Sequence, residues 1–225
     1  MKPRLVMFDM AGTTVFDRGG IARVMSDFFK EYGFEIPPGA FIPWMGSPPE
    51  FVVNRSLRRV GDDRAENPAF VAETVVKLDA TLNAYFADEA IPVPGAMSVF
   101  SVLKQNGIFV VLDTCLNRHV ADHILEKLKW KGGIIDWTVA GNEVNKPKPN
   151  PQMVFEAMKR FAVDNPAHVA KVGDTPNDLL MGNISGCGWV VGVTEGTHSR
   201  EALMPYPHTH LVANINHLPA LLLED

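Results

Sequence analysis

The chain has 225 residues, 46% of them hydrophobic and 21% charged, the balance of an ordinary globular protein with room for one large domain or a core plus a smaller insertion. A formal net charge of −5 with scattered Lys and Arg offers no basic face for nucleic acid, and Cys115 and Cys187 lie too far apart for a disulfide framework or a structural zinc site. No apolar stretch is long enough to span a bilayer, and the run before Asp9 is too short for a signal-peptide core, so a cytoplasmic protein without membrane association is expected.

In chain order, Leu5-Val6-Met7-Phe8 is a short continuous apolar run that stops at Asp9 and a Gly-Thr-Thr turn. Such a run fits a strand buried on both faces of a parallel sheet. The period then changes: Val24, Phe28 and Tyr32 recur at helical spacing until Gly33. Proline-rich sequence over 36–49 leads into a helix expected at 50–60, and a longer helix is expected from Pro68, where Val71, Val75, Leu78, Leu82 and Phe86 share one face. Residues 18–90 therefore read as a separate helical unit without strands.

From Gly95 the rhythm alternates. Helices are predicted at 98–105, 118–129, 151–161 and 177–184, and strands at 108–112, 138–140, 169–172, 189–193 and near 211–212. Alternating strands and helices imply βαβ units and a doubly wound α/β parallel sheet, a Rossmann-like core of 1–17 and 91–225 carrying the helical insertion 18–90. Its ligand belongs beyond the carboxyl ends of the strands.

Four polar groups fall just after predicted strand ends: Asp9, Thr114, Lys146 within Asn145-Lys146-Pro147-Lys148-Pro149, and Asp174 with Asp178. The set suits attack on phosphorus. A carboxylate such as Asp9 can form an aspartyl-phosphate, and a hard cation such as Mg²⁺ on Asp9 and Asp174 would offset repulsion between nucleophile and ligand. Lys146 is the expected charge-neutralising lysine, with Lys148 read as solvated, and Thr114 is the expected hydroxyl donor. Backbone N–H groups of the turn at Gly12 and Thr13 could hold another ligand oxygen. Asp178 is expected at the outer shell of the metal, Cys115 lies beside the site, and Arg55 on an insertion helix could reach a substrate anion or simply face solvent. The pair His208 and His210 reads as surface or structural.

Phe8-Asp9-Met10-Ala11-Gly12-Thr13-Thr14, Thr114, Lys146-Pro147-Lys148-Pro149 and Gly173-Asp174-Thr175-Pro176-Asn177-Asp178 together resemble the four motifs of the haloacid dehalogenase superfamily, in order and over nearly the whole chain. The resemblance implies a mobile helical cap, a small phosphorylated or phosphonated substrate, and a metal shell that includes the backbone carbonyl of Ala11. Ala11 two residues after the nucleophile, Asp113-Thr114-Cys115-Leu116-Asn117-Arg118, Lys171-Val172-Gly173-Asp174-Thr175-Pro176 and Pro207-His208-Thr209-His210 are similar to the phosphonatase branch, that of phosphonoacetaldehyde hydrolase. Members of that branch often pair through cap helices, so a homodimer is an option. Most phosphatases of the superfamily carry a second aspartate at the Ala11 position, and the branch replaces it with a cap lysine that forms a Schiff base. Here Met45-Gly46 is followed by Ser47-Pro48-Pro49, with no lysine between Lys30 and Lys77. Two other readings stay open on the sequence: a degenerate phosphometabolite-binding protein, and a 2-haloacid dehalogenase that needs no Mg²⁺.

Overall fold

The computed structural model describes residues 2–17 and 19–224. Six strands form one sheet in the order β3-β2-β1-β4-β5-β6, with every neighbouring pair parallel. They are β1 (Leu5–Asp9), β2 (Phe109–Thr114), β3 (Trp137–Ala140), β4 (Val169–Gly173), β5 (Trp189–Val193) and β6 (His210–Val212). β1 is buried along its whole length, as an unbroken apolar strand requires when helices cover both faces. Chain order runs outward in both directions from β1, which makes its carboxyl end the switch point of the sheet.

The helices of the core are α4 (Ala96–Gln105), α5 (Arg118–Lys127), α6 (Gln152–Arg160), α7 (Pro176–Ile184), the single turn α8 (Arg200–Leu203) and α9 (Leu218–Leu223). On one face Val6, Phe8, Val110 and Leu112 pack with α4, α5 and α9; on the other Leu5, Met7, Val111 and Val169 pack with Met153, Val154 and Ala157 of α6. α5 ends earlier than its apolar spacing suggests, because Leu128 caps it and Lys129 turns left-handed at φ 57°.

Between β1 and β2 lie α1 (Gly20–Glu31), α2 (Pro49–Arg59) and α3 (Pro68–Glu89), with no strand of the sheet among the described residues there. Each start has a local cause. Asp17 Oδ1 accepts from the N–H groups of Gly20 and Ile21, while Asn67 caps α3 ahead of Pro68. Val52, Val53, Ser56 and Leu57 are the buried face of α2. The two chains that join the insertion to the core run side by side: Phe16 N–H donates to Ile91 O and Val93 N–H to Thr14 O, both at 2.8 Å.

Candidate active site

Register places the charged groups before any loop does. Asp9 pairs with Asp113 across β1 and β2, and Met7 pairs with Lys171 across β1 and β4. Side chains alternate along a strand, so Asp9, Asp113 and Lys171 all project from the same face of the sheet. Burying Asp113 and Lys171 in the middle of an apolar layer is costly unless each finds partners. Lys171 Nζ lies 2.9 Å from Asp113 Oδ2 and 2.8 Å from Asp178 Oδ1.

The second ammonium comes from the loop after β3. A turn closed by Asn150 N–H on Pro147 O carries Lys148 inward, where its Nζ contacts Asp9 Oδ1 and lies 3.0 Å from both Asp113 Oδ1 and Asp178 Oδ1. Lys146, the lysine expected there, is exposed, and its N–H donates to Gln152 Oε1 instead. The sequence expectation for the two lysines is thus reversed. Spacing alone does not say which residue of Lys-Pro-Lys-Pro faces inward; the turn does.

Asp178 is the third residue of α7 and forms a reciprocal cap with Thr175, whose N–H and hydroxyl donate to its Oδ2 at 3.2 and 2.6 Å. Asp174 accepts from the Thr13 hydroxyl at 2.7 Å and from Thr197 N–H at 2.7 Å, while His198 Nδ1 lies 3.2 Å from its carbonyl oxygen. Gly12 is glycine for a reason of space: at φ 90° a Cβ there would stand 2.1 Å from Asp174 Oδ2. The N–H groups of Gly12 and Thr13, expected to hold a ligand oxygen, are already engaged within the chain. Gly12 N–H donates to Val15 O, Thr13 N–H to Met10 O, and the Thr13 hydroxyl is committed to Asp174. That loop shapes the carboxylate cluster rather than offering free donors from those two residues.

The electrostatics follow. Burial lifts the Asp9 carboxyl well above its ordinary value; Lys148 works against that, and Asp178, Asp174 and Asp113 add to it. Burial likewise raises Asp174, with Asp178 adding to it. Burial would raise Asp178 as well, but Lys148 and Lys171 outweigh it and hold that carboxyl low. Burial alone would lower the Lys148 ammonium, yet Asp113, Asp178 and Asp9 keep it charged. Counted formally, four carboxylates against two ammonium groups carry two excess negative charges, an imbalance that adds to burial in raising Asp9 and Asp174. Asp9, Asp174 and Asp178 each offer an oxygen within 4.8 Å of the others. An all-oxygen donor set with a twofold charge deficit fits a hard divalent cation.

Above this floor lies a pocket lined from the core by Asp9, Ala11, Thr114, Cys115, Thr175 and Thr197, and from the insertion mostly by apolar side chains. Thr114 Oγ1 accepts from Leu116 N–H at 3.1 Å, which leaves the hydroxyl proton available to a ligand. Burial pushes the Cys115 thiol up to about 12, and the S–H donates to Gly46 O at 3.2 Å. Asn177 Nδ2 donates to the same carbonyl and to Ser47 Oγ, so the 46–47 loop is latched onto the core from two sides.

A family profile described as haloacid dehalogenase-like hydrolase matches residues 3–186. The chain belongs to this family. Phosphonoacetaldehyde hydrolase of Bacteroides fragilis is 32% identical over 161 residues, 70% of this chain, and the chain matches only 58% of that relative's length. The enzyme of the same name from Bacillus cytotoxicus is 30% identical over 208 residues, covering 88% of this chain and 78% of the relative. Among solved structures, a phosphonoacetaldehyde hydrolase-like protein from Oleispira antarctica superposes with a TM-score of 0.86 at 20% identity, over 99% of this chain and 92% of that one. A likeness at that identity speaks to the fold.

Of the residues anticipated from sequence, this haloacid dehalogenase-like chain brings together Asp9, Thr114, Cys115, Asp174 and Asp178, with Ala11 in the pocket wall. Arg55 stays outside: it is exposed on α2, its guanidinium 5.3 Å from the centre of the Phe51 ring. His208 and His210 lie away from the pocket, the first with Nδ1 2.6 Å from Tyr206 O. Lys171, Asp113, Ser47, Asn177, Thr197 and His198 join the site without being among the candidate residues drawn from the sequence, and Lys148 enters it where a solvated lysine is expected. For two of them a signal existed. A lysine in the apolar strand Val169–Gly173 and an aspartate before Thr114 at the end of another are charges where the pattern buries everything.

Proposed function

We propose that the chain is a Mg²⁺-dependent hydrolase of a small phosphorylated or phosphonated metabolite, with Asp9 as nucleophile and an aspartyl-phosphate intermediate. The observation that carries this reading is Asp9 in contact with Lys148 at the switch point of the sheet, beside two further buried carboxylates and under a pocket walled by the insertion. An Asp9 oxygen attacks phosphorus. Lys148 and the Thr114 hydroxyl stand on the side of the transferring group and steady its oxygens as charge develops. Asp9 and Asp174, with Asp178 next to them, would hold Mg²⁺, which when bound supplies positive charge to the phosphoryl oxygens. Lys171 holds Asp113 and Asp178, and through them the direction of Lys148.

In this reading the insertion 18–90 serves as a cap on the core 1–17 and 91–225, and its latch at Gly46 and Ser47 keeps water from the reacting centre. The relatives named for phosphonoacetaldehyde and, in Pseudomonas putida, for phosphoglycolate support the class of substrate. The experiment is phosphate release from a panel of phosphate esters and phosphonates, with Mg²⁺ and with chelator, in the parent and in Asp9→Asn. Release that requires both Mg²⁺ and Asp9 is expected. Turnover by Asp9→Asn at the parental rate would end the proposal.

A further inference from the structure

The pocket above Asp9 holds little that can move a proton. From the insertion it is lined by Ile21, Met25, Met45, Val52 and Leu82, with Trp44 and Ser47 as hydrogen-bonding side chains. From the core, the residue two places after the nucleophile is Ala11, a methyl group that neither gives nor takes a proton. Among the described residues lining the pocket, the titratable side chains are Asp9 and Cys115. Asp9 must be ionised to attack. Cys115 keeps its proton on Gly46 O.

Among the described residues no carboxyl group of the insertion lines the pocket, and Glu50, beside the lining residue Pro49, is exposed in the first turn of α2. Asp17 caps α1 through Gly20 and Ile21. Asp79 is buried on α3 within the influence of His119 on α5, and does not line the pocket. Lys148, whose ammonium three carboxylates keep charged, serves the phosphoryl oxygens, and what remains beside the organic part are neutral donors. Ser47 Oγ accepts from Asn177 Nδ2 at 3.0 Å, so its own hydrogen is free to be donated. A hydroxyl can hydrogen-bond a departing oxygen, but at its ordinary acidity it does not protonate one.

We infer that the site takes phosphoryl compounds whose leaving group departs as an already stable anion on a small apolar organic part, the acyl phosphates being the simplest such class. The inference rests on the hydrolase reading above and narrows its substrate. A carboxylate leaving group has a conjugate acid near pKa 4, against roughly 16 for water-like oxygen, so only the second needs a proton to leave.

The steps balance without any further reactant. An Asp9 oxygen forms a bond to phosphorus, and the phosphorus–oxygen bond to the acyl group breaks, its electron pair leaving with the carboxylate. Water then attacks phosphorus, the bond to Asp9 breaks with its pair returning to the Asp9 carboxylate, and the water protons end on inorganic phosphate. The aspartyl-phosphate is itself an acyl phosphate, so both halves expel a carboxylate. One site without an acid serves both.

The test compares kcat/KM for acetyl and benzoyl phosphate, a series of substituted phenyl phosphates, and ethyl and benzyl phosphate, with Mg²⁺ and with spontaneous hydrolysis subtracted. The proteins are the parent, Asp9→Asn and Ala11→Asp. General-acid assistance is worth about 10²–10⁴-fold, so acyl phosphates should exceed size-matched alkyl phosphates by at least about 10²-fold. The phenyl series should fall steadily as the leaving group becomes more basic, and Ala11→Asp should raise the alkyl phosphates and narrow the gap. Asp9-dependent hydrolysis of ethyl or benzyl phosphate within about tenfold of the matched acyl phosphate overturns the inference while leaving the hydrolase reading intact. No Asp9-dependent release from any compound overturns both.

Discussion

Replacing Lys148 and Lys146 in turn by methionine separates the lysine that the fold buries from the one that the motif spacing suggested. Lys148 is 1% exposed and touches three carboxylates, two at 3.0 Å and Asp9 closer still. At 3 Å and an effective dielectric near 20, each such pair is worth about 5 kcal/mol before desolvation is charged against it. Removing one partner of a buried pair typically costs about 3–5 kcal/mol, because the carboxylates left behind are neither paired nor hydrated. In Lys148→Met four buried carboxylates would face Lys171 alone, so a loss at the upper end of that range is expected. The turnover loss should be about 10²–10³-fold, the usual consequence of deleting a charge aimed at the transition state. Lys146 is exposed and its main-chain bond to Gln152 survives substitution, so Lys146→Met should stay within about 0.5 kcal/mol and about twofold in rate. Urea unfolding and phosphate release on both variants read the two quantities separately. Equal losses in the two proteins, or a larger loss at Lys146, would refute the assignment.

Asp79 provides a pH-dependent test remote from the chemistry. Its Oδ1 has no hydrogen-bond partner among the described residues, and burial raises its carboxyl above the ordinary value while His119 works against the shift. A carboxyl raised on folding contributes its stability below the unfolded pKa and loses it as pH climbs through the folded one. Asp79→Leu should therefore gain on the parent between about pH 3.5 and about pH 7, by about 1–3 kcal/mol at neutrality in urea melts; an equal difference at both pH values would contradict this. Gly46→Ala should unlatch the insertion, since φ is 74° and a Cβ would lie 2.5 Å from Thr175 Oγ1. Faster amide exchange over 45–48 with the sheet unchanged is the expected signature, and unchanged exchange there would count against the latch. Mg²⁺ should raise the melting temperature of the parent, with about 2.7 kcal/mol of linkage at a hundredfold excess over Kd. Asp174→Asn should abolish that rise, and an undiminished rise in the variant would remove Asp174 from the metal site.

The sheet was legible in the sequence because buried parallel strands leave an unbroken apolar signature, and each strand read that way is present. Residue-level direction was less accessible. On α2 the buried set Val52, Val53, Ser56 and Leu57 already turns Arg55 to the far side, so a helical projection would have kept it out of the site. No projection helps with Lys146 and Lys148. They sit on either side of Pro147 in one loop, and their opposite fates depend on a turn at Pro147–Asn150 and on three carboxylates that come from β1, β2 and α7. A charge pair across such sequence distances can be anticipated only from what it must neutralise.

That requirement is itself an argument about how the protein divides its work. The core supplies charges of both signs: Lys171 fixes Asp113 and Asp178, these two with Asp9 fix Lys148, and Thr13 and Thr197 fix Asp174. Lys148, Lys171, Asp113, Asp178 and Asp174 are each held by at least two partners, so the constellation is rigid before any substrate arrives and its reorganisation cost is low. The insertion brings apolar surface, one indole, the Ser47 hydroxyl and the Gly46 carbonyl, which accepts from both Cys115 and Asn177. Changes in Met25, Trp44 or Leu82 should therefore shift which organic group is accepted while sparing the attack by Asp9. Changes in Lys171 should lower the rate for every substrate alike, because that lysine acts only through the groups that hold phosphorus.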